Sequence, residues 1–315
     1  MVPARSSEGP AASRLTPVDL LQIVDIRTKI VSVSSLAIGT AYSAATTHAF
    51  ATGAFLLMLL ATLCVDMGTT GFNSYYDFRH GVDTPDTDVE RWKALVQRRI
   101  DPAVARTLSW LLFALAAVAG LALGAITDWR ILPVGALGMA VGFAYSAGRM
   151  PIAGTPAGEL FAGGLLGMVL IAVAAFVQAG RLDPQVLRLG LPSTVLIATI
   201  LSVNNACDID GDRRAGRRTL AIVLGRPAAA RLILLQAVLA LGLALALVPQ
   251  GVLPRSALVP LTLAGLFGAK TLATMHRRGY SHADKAAAMG GISAVFGVYT
   301  LALLVAIALA GLGLR

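Results

Sequence analysis

Residues 191–212, LPSTVLIATILSVNNACDIDGD, carry an apolar run that passes straight into polar residues at four-residue spacing, Asn204, Asp208 and Asp212. The run at 51–72 ends the same way, in NSYYDFRHGVDTPD (73–86), with Asn73 and Asp77 four apart and Asp83, Asp86 and Asp88 following. Residues four apart lie on one helix face, so each set reads as a row of oxygen donors at a helix end. Eight of the 17 acids fall in 73–90 or 208–212. Carboxylates gathered so closely repel one another unless a cation intervenes. Mg2+ takes few carboxylates and completes its shell with water and phosphate oxygens, so the two rows are expected to share Mg2+ and a diphosphate.

The composition around these rows selects the solvent. With 56% hydrophobic residues, 14% charged and a mean hydropathy of +0.74, the 315 residues expose too much apolar surface for water, and the bilayer is expected in its place. Nine runs are candidates to cross a hydrocarbon layer of roughly 30 Å: 30–47, 51–72, 103–126, 131–147, 157–179, 191–207, 227–248, 256–275 and 286–312. The expected fold is an all-α membrane protein with nine transmembrane helices around a central cavity. Two four-helix halves in parallel orientation plus a ninth helix would bring the matching Asn-x-x-x-Asp ends face to face. Residues 1–24 are expected to form a flexible cytoplasmic tail without a cleaved signal peptide, and 25–315 a single transmembrane domain.

When the nine runs alternate, 21 of the 26 lysines and arginines fall on the N-terminal side. Because such residues bias short loops towards the cytoplasm, the N-terminus and both acid rows are expected inside the plasma membrane and the C-terminus outside. The net charge of +9 comes without an aromatic-interleaved basic module, which argues against nucleic acid and for anionic lipid. Cys64 and Cys207 lie within apolar runs without metal-ligand spacing and read as small fillers. The pairs Gly120/Gly124, Gly138/Gly142 and Gly163/Gly167 are expected at close helix contacts. His276 and His282 belong to a basic loop, and no histidine has partners at zinc spacing. Guanidinium forks suit phosphate oxygens, and Arg149, Arg217 and Arg218 are the expected diphosphate contacts.

Together with YSAGRMP (145–151) and DIRTKI (25–30), the two acid segments resemble the UbiA superfamily of intramembrane prenyltransferases, and within it most the 1,4-dihydroxy-2-naphthoate polyprenyltransferase branch of menaquinone biosynthesis. The resemblance implies a nine-helix bundle whose cavity, capped on the cytoplasmic side, transfers a polyprenyl group from an allylic polyprenyl diphosphate to an aromatic acceptor. Asn73, Asp77 and Asp83 match its first metal motif, and Asn204, Asp208 and Asp212 its second. Arg217 matches a basic position beyond the second motif, and Lys29 the cation of the first helix, and the resemblance implies that both contact the diphosphate. Cys207 stands where members of the branch usually carry arginine.

In that chemistry Asp77, Asp208 and Asp212 are the expected catalytic carboxylates, through Mg2+. Asp66 lies about two turns deeper on the same face as Asn73 and Asp77 and is expected to orient or deprotonate the acceptor. Phe72, Tyr76 and Tyr145 offer aromatic faces to an allylic cation or serve packing and the membrane interface, and Glu159 offers a contact to the acceptor or an anchor for its helix end. Other readings use the same residues. A different aromatic acceptor fits the rows equally, a membrane terpene cyclase would let the donor close on itself, and a transporter or lipid-binding protein would share the helical, basic-inside plan.

Overall fold

The computed structural model describes residues 15–83, 93–148 and 150–314. Among these, every regular element is helical. In chain order they are α1 (Pro17–Ile23), α2 (Ile30–Thr47), α3 (Thr52–Arg79), α4 (Ala94–Gln97), α5 (Pro102–Ile126), α6 (Ile131–Ser146), α7 (Gly158–Gly163), α8 (Leu170–Ala179), α9 (Pro184–Cys207), α10 (Ile209–Arg214), α11 (Leu220–Leu224), α12 (Arg226–Ala246), α13 (Leu258–Arg278) and α14 (Lys285–Gly311). A six-residue π-helical stretch, Gly164–Val169, joins α7 to α8 in one continuous rod.

Each apolar run carries a helix, and the helix starts follow local chemistry. Asp101 caps α5 through Ala103 N and Asp183 caps α9 through Gln185 N, each followed by a proline that needs no hydrogen-bond acceptor. Seven helices are long and apolar enough to cross a membrane: Thr52–Arg79, Pro102–Ile126, Gly158–Ala179, Pro184–Cys207, Arg226–Ala246, Arg255–Arg278 and Lys285–Gly311. The remaining two of the nine runs fall short of that standard. Ile131–Ser146 has 16 residues, and Ile30–Thr47 places seven serines and threonines among its 18.

Residues 1–24, expected as a flexible tail, include helix α1. Its capping box joins Thr16 and Asp19, and Asp19 is fully buried while accepting hydrogen bonds from Thr16 N at 2.8 Å and Arg98 Nη1 at 2.6 Å. Burying that carboxylate under three donors ties the segment to α4 and α3, which a sequence free of long apolar runs does not reveal.

The helices close into a ring. α3 lies along α5 and α9 along α12, α2 packs on α8, and α14 packs against α13, α2 and α9. Apolar helices gain little from hiding from lipid, so close backbone approach carries the association. A Cβ on Gly39 of α2 would lie 2.3 Å from the carbonyl oxygen of Ile171, and one on Gly167 would lie 2.6 Å from Cα of Thr194 in α9. Gly163 meets the same stretch of α9. The other two expected glycine pairs divide. Gly124 and Gly142 touch Leu132 and Thr69, whereas Gly120 and Gly138 have nothing within 4 Å and line the central cavity. Their missing side chains make room instead of contact.

Gly167→Val is expected to cost about 2 kcal/mol or more through overpacking, read as a lowered melting temperature in detergent. Gly138→Ala is expected to be neutral or slightly stabilising, because the added methyl improves helix propensity by up to about 1 kcal/mol in open space. Equal losses in both would show that the two glycines have the same role.

Candidate functional site

α3 has 28 residues, a length of about 42 Å at 1.5 Å per residue, against a hydrocarbon layer of roughly 30 Å. Its last turns therefore leave the apolar layer and carry Asn73 and Asp77 into the polar end of the bundle. α9 stops at Cys207, and Asp208 forms the joint to α10 with φ −101° and ψ 10°. The helical hydrogen-bond pattern survives the joint, since Asp208 N donates to Asn204 O at 3.2 Å and Asp212 N to Asp208 O at 2.9 Å. Asn204, Asp208 and Asp212 thus remain one row although two helices supply it.

Both rows open into one cavity of about 1670 Å3. Asn73, Asp77, Asp83, Asn204, Asp208 and Asp212 all line its polar end, and Met58, Leu123, Ile131, Leu170 and Val173 line its apolar part. Arg217 locks the two rows together. Its Nη1 donates to Asp212 Oδ1 at 3.1 Å and its Nη2 to Asp77 Oδ1, linking residues 140 positions apart. The Arg217 stem passes Gly154 at 3.3 Å from where a Cβ would sit, and Arg218 N donates to Gly154 O at 2.8 Å. Glycine at 154 thereby seats the arginine-bearing loop against the turn Ile152–Gly154.

The remaining acids also have basic partners. Lys93 Nζ lies 2.6 and 2.7 Å from the two oxygens of Asp83. Asp208 receives Lys285 Nζ at 2.6 Å and lies 3.0 Å from His282 Nδ1. His282 and Lys285 escaped the sequence reading, which assigned their loop to membrane orientation. The available signal was the H-x-x-K spacing at the start of an apolar helix. Burial pushes the Asp212 carboxyl up to about 6, against the pull of Arg217 and with the added push of Asp208. Burial opposes the charge of Arg217, but Asp77 and Asp212 outweigh it and hold the guanidinium above its ordinary value.

The other predicted residues separate into those that face the cavity and those that do not. Tyr145 and Asp66 line it. Lys29, expected on the diphosphate, is 3% exposed and not itself part of the cavity wall, with Nζ 2.6 Å from Asp66 Oδ1 and 2.7 Å from Thr70 Oγ1, two groups that line it. A buried ammonium needs an acid beside it, and Asp66 supplies that acid. Ser32 Oγ holds the other Asp66 oxygen at 2.6 Å. Phe72 is 1% exposed and packs edge-on to Trp110, Phe113 and Phe143, so it belongs to an aromatic cluster and not to the cavity wall. Tyr76 stacks on His80 with ring centroids 5.8 Å apart and also lies outside the wall. Glu159 is buried behind the wall and accepts from Asn205 Nδ2 at 2.9 Å, so it steadies Asn205, which does line the cavity. Arg218 enters through its backbone amide only, and Arg149, Asp86 and Asp88 lie outside the described residues.

Among the described residues, no three carboxylates, imidazoles or thiols converge into a closed metal cage. The donor set nevertheless fits Mg2+, which prefers hard oxygens and keeps positions for water and phosphate. Four aspartates and two asparagines at one cavity end meet that description, and the basic groups now on the carboxylates show that the site requires positive charge.

A family model described as the UbiA prenyltransferase family matches residues 32–296. The chain is 35% identical over 179 residues to the 1,4-dihydroxy-2-naphthoate octaprenyltransferase of Bacillus subtilis, covering 57% of this chain and 57% of that one. It is 31% identical over 183 residues to the protein of the same name from Mycobacterium tuberculosis, covering 58% and 62%. The alignments thus span less than two thirds of these curated relatives. Among solved structures, a UbiA homologue from Archaeoglobus fulgidus bound to DMAPP and Mg2+ superposes with a TM-score of 0.65 at 19% identity, over 91% of this chain and 99% of that one. The apo structure of a UbiA homologue from Aeropyrum pernix gives 0.64 at 21% identity, over 90% and 97%.

Two measurements test the charge arrangement. Arg217→Gln leaves Asp77 and Asp212 facing each other and is expected to destabilise the metal-free protein by about 3 kcal/mol, with added Mg2+ restoring part of the loss in a thermal melt. Because Asp212 has its folded value raised from 3.8 to about 6, its contribution to stability is full below the lower value and lost as pH rises through the upper one. Asp212→Asn is therefore expected to flatten the decline in melting temperature between about pH 4 and pH 6 in EDTA; an unchanged slope would assign that titration elsewhere.

Proposed function

The chain belongs to the UbiA prenyltransferase family, and on that footing we propose that it transfers a polyprenyl group from an allylic polyprenyl diphosphate to an aromatic acceptor, 1,4-dihydroxy-2-naphthoate. The observation that carries this reading is the meeting of two oxygen-donor rows across Arg217 at the polar mouth of a large apolar cavity. A diphosphate with a long hydrocarbon tail has the matching division of polarity. The names of the two bacterial relatives favour the naphthoate acceptor, and the bound DMAPP and Mg2+ of the archaeal homologue favour the donor class and the ion.

In this reading Asn73, Asp77, Asp83, Asn204, Asp208 and Asp212 hold Mg2+, which supplies positive charge to the departing diphosphate. Arg217 binds that diphosphate and stabilises the charge it gains as the allylic C–O bond breaks. The apolar walls receive the tail and keep water from the allylic cation. Tyr145 presents an aromatic face near the polar end, where the cation forms. Asp66, held by Lys29 and Ser32, accepts a hydrogen bond from an acceptor hydroxyl and aims an electron-rich ring carbon at the cation. The ring carbon forms the new C–C bond with its own electron pair as diphosphate leaves, and the ring regains aromaticity by losing the group that carbon carried, a proton or, at the carboxyl-bearing position, CO2.

The predominance of basic residues around this end supports placing it on the cytoplasmic side of the plasma membrane, with nine helices crossing. Tilt or local thinning accommodates the two helices that are short or polar for the task.

Purified protein incubated with labelled polyprenyl diphosphate, Mg2+ and a panel of aromatic acids is expected to yield a prenylated naphthoate product by mass. Asp77→Ala or Asp208→Ala should lower turnover by at least about 100-fold, the scale of one lost transition-state contact, while the variants still insert in membranes. Hydrocarbon released from donor alone would assign cyclisation instead, and solute movement across vesicles without donor consumption would assign transport.

A further inference from the structure

Asp208 is held from a part of the chain remote from both motifs. The loop between α13 and α14 places His282 Nδ1 3.0 Å from Asp208 Oδ1 and Lys285 Nζ 2.6 Å from Asp208 Oδ2. Both residues line the cavity, and the Lys285 side chain is only 15% exposed. Among the described residues, the second ring nitrogen of His282 is buried without a hydrogen-bond partner. Lys285 opens a 27-residue helix whose N-cap, Asp284, makes no side-chain capping bond because its carboxylate accepts from Ser281 Oγ at 2.6 Å. Ala286, Met289, Gly290 and Ser293 continue the same helix along the cavity wall.

We propose that His282 and Lys285 form a third diphosphate-binding arm, which lies on Asp208 in the metal-free protein and turns onto the diphosphate when Mg2+ takes that carboxylate. This inference rests on the diphosphate reading above. The two donors occupy one oxygen each of Asp208, the lone pairs a metal ion requires. An ammonium and a divalent cation on one carboxylate repel each other strongly in a partly dry site, so metal binding displaces Lys285. Its four-carbon stem lets the charge swing while the backbone stays at the start of α14. The anion to receive it is the diphosphate that the same metal brings. The positive end of the α14 dipole favours an anion at this place as well. The other two rows of contact have the same construction, with Lys93 on Asp83 and Arg217 across Asp77 and Asp212. Three separate stretches of chain thus bring basic groups to the anion.

The test uses the full chain in detergent, with inorganic pyrophosphate and Mg2+ as probes in a calorimetric titration. At saturating Mg2+, Lys285→Met is expected to weaken pyrophosphate binding about tenfold or more and His282→Ala by a smaller factor, as loss of a charge-assisted hydrogen bond requires. Lys285→Arg should stay within about threefold of wild type, since it keeps the charge. Mg2+ alone should bind Lys285→Met more tightly, because its competitor for Asp208 has gone. Pyrophosphate affinity equal to wild type in both Lys285→Met and His282→Ala, with tighter Mg2+ binding, would reduce the pair to counter-ions of Asp208 and overturn the arm alone. A wild-type chain that binds no pyrophosphate with Mg2+ would overturn the diphosphate reading, and the arm with it.

Discussion

Four aspartates meet at one end of an apolar bundle, and neutralising their charge is the constraint on which the rest depends. Asp77, Asp83, Asp208 and Asp212 come from two segments more than 100 residues apart. The bundle answers with bases from three further places: Lys93 beyond the first acid row, Arg217 beyond the second, and Lys285 with His282 near the last helix. Like charges in a partly buried space cost several kcal/mol unless opposed. The helices must therefore pack so that these loops converge. The resulting site sets a base against each of the four carboxylates.

Helix packing supplies the space next to that site. Glycines at 39, 163 and 167 draw α2, α7 and α9 against their neighbours until backbone meets backbone. Glycines at 120 and 138 do the opposite and hollow the bundle on the facing side. The same residue type, at the same spacing, thus tightens one wall and opens another. Deeper in the cavity, Asp66 and Lys29 form a second, smaller charge pair in which Ser32 and Thr70 take part. Their mutual satisfaction is what allows an acid and an ammonium to sit below the polar mouth.

Much of this was legible in the order of residues. Apolar runs located the helices because hydrocarbon tolerates a backbone only when its hydrogen bonds are closed within the segment. Four-residue spacing placed Asn73 with Asp77 and Asn204 with Asp208 and Asp212 on common faces, and the row persisted across the joint at Asp208. Side-chain direction was less accessible. Phe72 and Tyr76 are one turn apart from proper cavity residues yet face an aromatic cluster and a histidine, and Glu159 looks away from the cavity towards Asn205. A rotation of part of a turn about the helix axis separates these outcomes, and in a helix apolar all round no periodic pattern records that rotation.

The sequence by itself determined the membrane class and the two donor rows, because each is a local property of composition or helical period. Only the tertiary structure decided which bases face which acids. Arg217 reaches Asp77, 140 positions away, and so joins the two rows, Lys29 pairs with Asp66, and a loop at residues 279–285 that reads as ordinary membrane-surface charge closes over Asp208. Those pairings depend on how the helices turn and lean on one another, and that is set by the sum of many close contacts distributed along the chain.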